Sequence, residues 1–273
     1  MKIKVLSENT AISEEFACEH GLSVYLESGG LKILFDTGAS DLFLKNAKTL
    51  GVDIADVDLL FLSHGHYDHG GGLKDFLRVN KKAKLYANPR AFGDYFALRE
   101  GGEYEYIGLD KELAEEERFS QSLDGQKIGE KLEVLSNVIS LQLFPKANSL
   151  LYKKTQVGFS KDDFLHEQSL IVTEEDKTLL ITGCAHRGIV NILRRYKAKK
   201  GDYPDYVLGG FHLTGRLVGG ESDEDLKEIA AFLLKTKAKY FTGHCTGLEA
   251  YEKIKVLMGD NLAYASAGMQ TEI

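Results

Sequence analysis

The sequence predicts an α/β sandwich of four layers, two sheets packed face to face with helices on their outer sides. Three observations predict it. One segment is echoed within the chain, Ser23 to Asp36 aligning without a gap on Ser169 to Thr182. Each copy is an apolar run, a polar turn (Ser28-Gly29-Gly30 or Glu174-Glu175-Asp176-Lys177) and a second apolar run, the pattern of a hairpin with buried strands. Further short apolar runs alternate with helical periodicity, and elements rich in His, Asp and Gly stand just after strand ends, where loops of such scaffolds converge.

Taken in order, Met1 to Leu6 reads as an amphipathic strand, followed by the first hairpin and Asp36-Thr37-Gly38. Helical spacing of apolar residues follows at Asp41 to Leu50, then a strand at Asp58 to Leu62, a helix at Leu73 to Val79 and a strand at Lys84 to Ala87. The second hairpin leads into Gly183-Cys184-Ala185-His186, a helix at Ile189 to Lys197, a strand at Tyr206 to Leu208 and a helix at Asp223 to Leu234. A strand at Tyr240 to Phe241 and a helix at Leu248 to Leu257 complete the pattern. Between the halves, Gly101 to Lys131 is charged and poor in aliphatics, and is expected to be an exposed insertion: a solvated face, a cap over the pocket or a homo-oligomer contact.

A chain of 273 residues with 43% hydrophobic residues is long enough for a substantial core, and one domain spanning 1–273 is expected. The net charge of −7 argues against nucleic-acid or anionic-membrane partners, which need a basic face. The three cysteines, Cys18, Cys184 and Cys245, form no disulfide framework, and the N-terminus lacks the apolar core of a signal peptide, so a reducing, cytoplasmic location is expected. No apolar run approaches membrane-spanning length.

The chemistry is concentrated in Ser63-His64-Gly65-His66-Tyr67-Asp68-His69, directly after the apolar run Leu59 to Leu62. Neutral imidazole and carboxylate are the ligands that Zn²⁺ and related first-row ions accept, and four of them this close can serve two ions. In an extended segment His64 and His66 face one way, while Asp68 and His69 turn toward a second position. Three more of the eight histidines, His186, His212 and His244, also follow apolar strands beside glycine.

With Asp36-Thr37-Gly38 upstream, the pattern His64-x-His66-x-Asp68-His69 followed by His186 and His244 resembles the metallo-β-lactamase superfamily, over essentially the whole chain. The motifs Gly183-Cys184-Ala185-His186-Arg187-Gly188, Gly209-Gly210-Phe211-His212-Leu213 and Gly243-His244-Cys245-Thr246-Gly247 are similar to its dihydropterin-methyl-ribofuranosylaminobenzene-phosphate synthase branch. The resemblance implies the αββα fold and two divalent ions: His64, His66 and His186 for the first, Asp68, His69 and His244 for the second. Asp36 would orient a ligand imidazole. Zn²⁺ is expected first, with Mn²⁺ and Fe²⁺ accepting the same set.

One departure stands out. The superfamily usually places a bridging aspartate at a strand end between the third and last histidine, and here His212 holds such a position. Neutral imidazole in place of carboxylate leaves two cations less compensated, so an anionic phosphate or diphosphate can complete the shell. His212 either binds metal or donates a hydrogen bond to that phosphate. Asp68 and His212 are the expected catalytic residues, and Arg187, Lys146, His166 and Glu167 the expected substrate contacts. Packing is expected for Cys184 and Cys245.

The resemblance leaves three functions open. One is a two-metal hydrolase of an anionic, phosphate-containing small molecule. The second is a synthase-like transferase displacing diphosphate, with Tyr95, Phe96 and Phe159 as aromatics for a pterin. The third is a non-catalytic metal-binding scaffold. Electron-transfer relatives with glutamate in the first motif and an added flavin domain do not match, and His186 to His244 is too short an interval to hold the inserted domain of nucleic-acid-cleaving relatives.

Overall fold

The computed structural model describes residues 1–139, 141–215 and 217–273. The two hairpins form in equivalent register. Val24 pairs with Phe35 and Ser28 with Leu31 in the first; Leu170 pairs with Ile181 and Glu174 with Lys177 in the second. The second strand of each then runs parallel to its neighbour, Leu31–Phe35 beside Leu59–Phe61 and Lys177–Ile181 beside Tyr206–Gly209. A further parallel strand extends each sheet, Lys84–Ala87 and Lys239–Thr242. Among the described residues both sheets have seven strands.

Alternation along the strands separates the core into three slabs. Leu26, Ile33, Phe35 and Phe61 meet Leu170, Val172, Leu179 and Ile181 between the sheets. On the far side of the first sheet, Leu34 and Leu60 pack with Phe43, Leu73 and Phe76 from helices Leu42–Thr49 and Leu73–Val79. On the far side of the second, Ile171, Leu180 and Val207 pack with Ile189, Leu193, Ile229, Leu233 and Ile254 from helices Ile189–Lys200, Asp223–Thr236 and Leu248–Met258. Three slabs between four layers give the αββα sandwich; each fully buried large side chain contributes about 1.5–3 kcal/mol.

Helix ends follow local chemistry. Helix Ile189–Lys200 runs almost a turn beyond the expected Lys197, its Lys199 and Lys200 both pairing with Glu133, until Gly201, at φ 90°, reverses the chain. The Ser222 side chain caps Asp223–Thr236, its hydroxyl accepting from the Asp225 N–H at 3.1 Å.

Two features depart from the sequence expectation. Residues 101–131 are not only an exposed insertion: Phe119–Gln121 pairs along the edge of the first sheet and Lys127–Ile128 along the edge of the second. A third sheet has no counterpart in the sequence pattern; its strands lie in the order Gly158–Lys161, Leu151–Thr155, Tyr95–Leu98, Tyr104–Tyr106. It stands over the strand ends that carry the histidines, contributing Ala97, Leu98 and Leu151 to the pocket wall. Among the described residues no helix is long and apolar enough to cross a membrane.

Candidate metal centre

Parallel strands bring the histidines together because their C-terminal ends open on one side. Leu59–Phe61 leads to His64 and His66, the single turn Tyr67–Gly70 carries Asp68 and His69, and Lys177–Ile181 leads to His186. Tyr206–Gly209 leads to His212 and Lys239–Thr242 to His244. Gly65 is required between the first two histidines: a Cβ there would lie 2.1 Å from the Ala91 carbonyl oxygen. Asp36, Ala185, His212 and His244 all take left-handed φ angles, 58°, 55°, 52° and 51°. Such angles in residues other than glycine cost about 1–3 kcal/mol each and gather where function holds them.

The ligand atoms converge in pairs. His64 Nε2 lies 3.4 Å from His186 Nε2, and His69 Nε2 lies 3.2 Å from His244 Nε2, with Asp68 Oδ2 another 3.2 Å from His244 Nε2. Two nitrogens bound at ordinary Zn–N length to one tetrahedral ion are about 3.3 Å apart. The spacing of both pairs therefore suits an ion.

Hydrogen bonds on the outer ring nitrogens set the tautomers. Ser63 Oγ donates to Asp36 Oδ2 at 2.6 Å, so it accepts from His64 Nδ1 at 2.8 Å. His69 Nδ1 donates to Asp36 Oδ2 at 2.6 Å. Asn148 donates its amide to the His186 carbonyl, leaving Asn148 Oδ1 to accept from His186 Nδ1 at 2.9 Å. His244 Nδ1 donates to Asn9 Oδ1 at 2.8 Å. All four Nε2 atoms thus turn a lone pair inward. His66 Nε2 is buried without a hydrogen-bond partner, 3.9 Å from Asp162 Oδ2.

Electrostatics keep these groups ready for a cation. Burial, then neighbouring histidines, hold the pKa values of His64 and His186 well below the ordinary value, and burial brings His244 to about 4, so all three are neutral near pH 7. Burial opposes ionisation of Asp68, but His69, His20 and His244 more than offset it and hold its carboxyl well below the carboxylate range. His69 is the exception: Asp36 and Asp68 raise it despite burial, which favours its protonated form, so a cation at its Nε2 competes with a proton. His212 falls to about 3 through burial, and both its ring nitrogens are buried without a hydrogen-bond partner.

The expected substrate contacts are placed differently. His166 lies behind the ligands, Nδ1 accepting from the Gly65 N–H at 3.0 Å and Nε2 3.0 Å from Asp162 Oδ2. Glu167 is buried, accepts from the backbone N–H groups of His186 and Arg187 at 2.6 and 2.9 Å, and is pushed up to about 7 by burial. Arg187 binds the carbonyls of Val138 and Asp163. Lys146 Nζ is 2.8 Å from Asp225 Oδ2 on the outer face. Of the three aromatics, Tyr95 packs on His166 at 4.0 Å between ring centroids, while Phe96 and Phe159 pack on each other at 4.9 Å in the third sheet. Sequence reasoning missed Asn9 and Asn148, single polar residues with no local pattern. It also missed His20, whose Nε2 lies 3.3 Å from Asp68 Oδ2.

The centre floors a pocket of about 560 Å³. Ala97, Leu98, Ile107, Leu150, Leu151 and Leu217 make its walls largely apolar, and Arg99 is the one Lys or Arg among the described lining residues.

The family model of the metallo-beta-lactamase superfamily matches residues 17–140. The uncharacterized protein MJ0448 of Methanocaldococcus jannaschii is 32% identical over 270 residues, covering 97% of this chain and 98% of its own. The 7,8-dihydropterin-6-methyl-4-(beta-D-ribofuranosyl)-aminobenzene-5'-phosphate synthase of the same organism is 30% identical over 270 residues, 92% of this chain and 89% of its own. A crystal structure of Tm1679, a metal-dependent hydrolase of the β-lactamase superfamily, superposes with a TM-score of 0.82 at 30% identity, over 100% of this chain and 99% of that one. With this fold, this centre and these relatives, the chain belongs to the metallo-β-lactamase superfamily. Members of that superfamily bind metal ions, and the inward Nε2 lone pairs, their spacing and the unpartnered His66 nitrogen fit such ions here.

Proposed function

We propose that this chain is a metal-dependent hydrolase that uses two divalent ions, Zn²⁺ first, to act on an anionic, phosphate-containing small molecule. The observation that carries the reading is the pair of adjacent ligand sets, His64 with His186 and His69 with His244, at the floor of an otherwise apolar pocket. His66 completes the first set and Asp68 the second. When bound there, divalent ions would supply Lewis acidity at the attacked group and would neutralise charge on the leaving oxygen.

The chain's own residues hold that arrangement. Asp36 and Asn148 fix the imidazoles behind the metal side, and Asp68 supplies the one carboxylate in the ligand set. His212, neutral at physiological pH, donates one N–H to a phosphate oxygen without adding charge. The apolar walls exclude water from the body of the substrate, and Arg99 meets an anionic group at the wall, while its guanidinium is also paired with Glu105. His166 and Glu167 act from behind the ligand rings.

A second reading, displacement of diphosphate by an arylamine, is favoured by the 30% identity to the synthase over 92% of the chain. The test is hydrolysis of phosphodiester and phosphomonoester substrates by the metal-loaded full chain, its metal-stripped form and Asp68→Ala. Hydrolysis that needs metal and falls about hundredfold or more in Asp68→Ala supports the hydrolase. Two bound ions without hydrolysis of any substrate turn the assignment to diphosphate displacement.

A further inference from the structure

We infer that Cys184 is a metal ligand whose thiolate stands between the two ligand sets and supplies negative charge that the superfamily's usual bridging aspartate would otherwise bring. This rests on the two-ion reading above and contradicts the packing role that sequence suggests for this residue.

Position is the first argument. Cys184 Sγ lies 3.1 Å from His69 Nε2. It belongs to two sets of donor atoms that each lie within 4.8 Å of one another: Asp68, His69, His244 and Cys184 form one, and His64, His186 and Cys184 the other. No spacer is needed for one sulfur to reach an ion held by either set. Cys184 is 2% exposed, so the sulfur meets the centre rather than solvent.

Charge is the second. Among the expected ligands only Asp68 is acidic; the five imidazoles bring none. The other nearby carboxylates are occupied: Asp36 by Ser63 and His69, Asp162 by His166, and Glu167 by two backbone N–H groups. Two divalent ions with one carboxylate carry a net charge of about +3, and one thiolate lowers that by one. The step balances: the S–H bond breaks, its proton goes to solvent, and the sulfur lone pair forms the bond to metal.

Unpartnered donors are the third. His66 Nε2 and both ring nitrogens of His212 are buried without hydrogen-bond partners, and His212 shares a 4.8 Å set with Cys184 and Cys245. Polar atoms left this way in a packed interior point to a missing partner. Cys245 is placed differently. Its Sγ donates to the Cys184 carbonyl at 3.5 Å, and it joins neither ligand set around the paired histidines, so Cys245→Ser separates a thiolate of Cys184 from one in the set that Cys245 shares with His212.

The experiment reconstitutes the metal-stripped full chain with Co²⁺, counts bound cobalt and records the absorption spectrum. Thiolate ligation gives a sulfur-to-cobalt charge-transfer band that nitrogen and oxygen ligands do not. The expected result is two cobalt ions with that band in wild type and Cys245→Ser. In Cys184→Ser the band is lost and the weaker-bound cobalt dissociates about tenfold more readily or more. To keep the test independent of how well Cys184→Ser folds, alkylation of wild type is mapped by mass spectrometry; slower Cys184 labelling with metal bound is the expected result. Two cobalt ions with no band in wild type, or a band that survives Cys184→Ser, overturns the thiolate and leaves the two-ion reading standing. Absence of cobalt binding overturns both.

Discussion

Asp36 offers the sharpest perturbation of the centre, because it holds no ligand position and yet sets the state of two ligands, His69 directly and His64 through Ser63. Its carboxylate is fully buried and accepts three hydrogen bonds, from Ser63 N at 2.7 Å, Ser63 Oγ at 2.6 Å and His69 Nδ1 at 2.6 Å. Asp36→Asn keeps the shape but replaces one acceptor by an NH₂ group. If the amide oxygen keeps the Ser63 N–H, the amide nitrogen faces the His69 Nδ1 proton. His69 then relieves the clash by moving its proton to Nε2, where the metal lone pair is needed. Loss of a buried hydrogen bond to a charged group costs about 1.5–3 kcal/mol. Loss of an orienting partner typically weakens metal binding about 10–100-fold, or about 1.4–2.7 kcal/mol. The assay is a chelator-competition titration on the metal-stripped chain, with thermal unfolding as the control for folding. The ion held by His69 and His244 should bind about 10–100-fold more weakly, and the ion held by His64 and His186 should weaken too, because Ser63 Oγ loses the acceptor that orients it toward His64. Two ions bound by a folded Asp36→Asn chain with wild-type affinities would refute the reasoning.

Other expectations follow from the same geometry. In the metal-free chain His244 titrates near 4 against an ordinary 6.5, so between those values the unfolded chain binds a proton that the folded chain does not. Stability is therefore full above pH 6.5 and is lost as pH falls toward 4, on the order of 3 kcal/mol for this group; unfolding followed across pH should show the fall, and a flat profile would contradict it. Lys146→Ala removes the ion pairs of an exposed lysine to Asp225 and Glu221, outside the described pocket lining, so unfolding should shift little and KM should stay at the wild-type value. A large rise in KM would return Lys146 to the substrate contacts. Gly65→Ala forces a Cβ onto the Ala91 carbonyl, and a loss of stability of about 1–3 kcal/mol together with weakened metal binding is expected from a chain displaced between His64 and His66.

Much of this is legible in the sequence, for identifiable reasons. The hairpins are readable because the repeat states the same pattern twice, and Ser28 and Glu174 do occupy equivalent turn positions. The histidines are readable because each directly follows a buried strand, so local pattern and chemistry agree. The third sheet is not. Tyr104–Tyr106 is exposed along its length, and Tyr95–Leu98 pairs with Leu151–Thr155 across an interval that carries no pairing signal. Asn148 and Asn9 are opaque for a related reason: each orients a histidine 38 or 235 residues away in sequence, and a lone Asn in a loop has many simpler uses. Glu167 reads as a substrate contact, whereas the fold places it behind His186 and Arg187, where backbone N–H groups needed an acceptor.

The most direct measurement is metal content by mass spectrometry on full chain purified without added metal, paired with hydrolysis of a phosphodiester before and after chelation. Two divalent ions per chain are expected, with turnover that disappears with the metal and returns on its restoration. One ion or none in a folded, active chain, or turnover indifferent to chelation, would contradict the two-ion hydrolase.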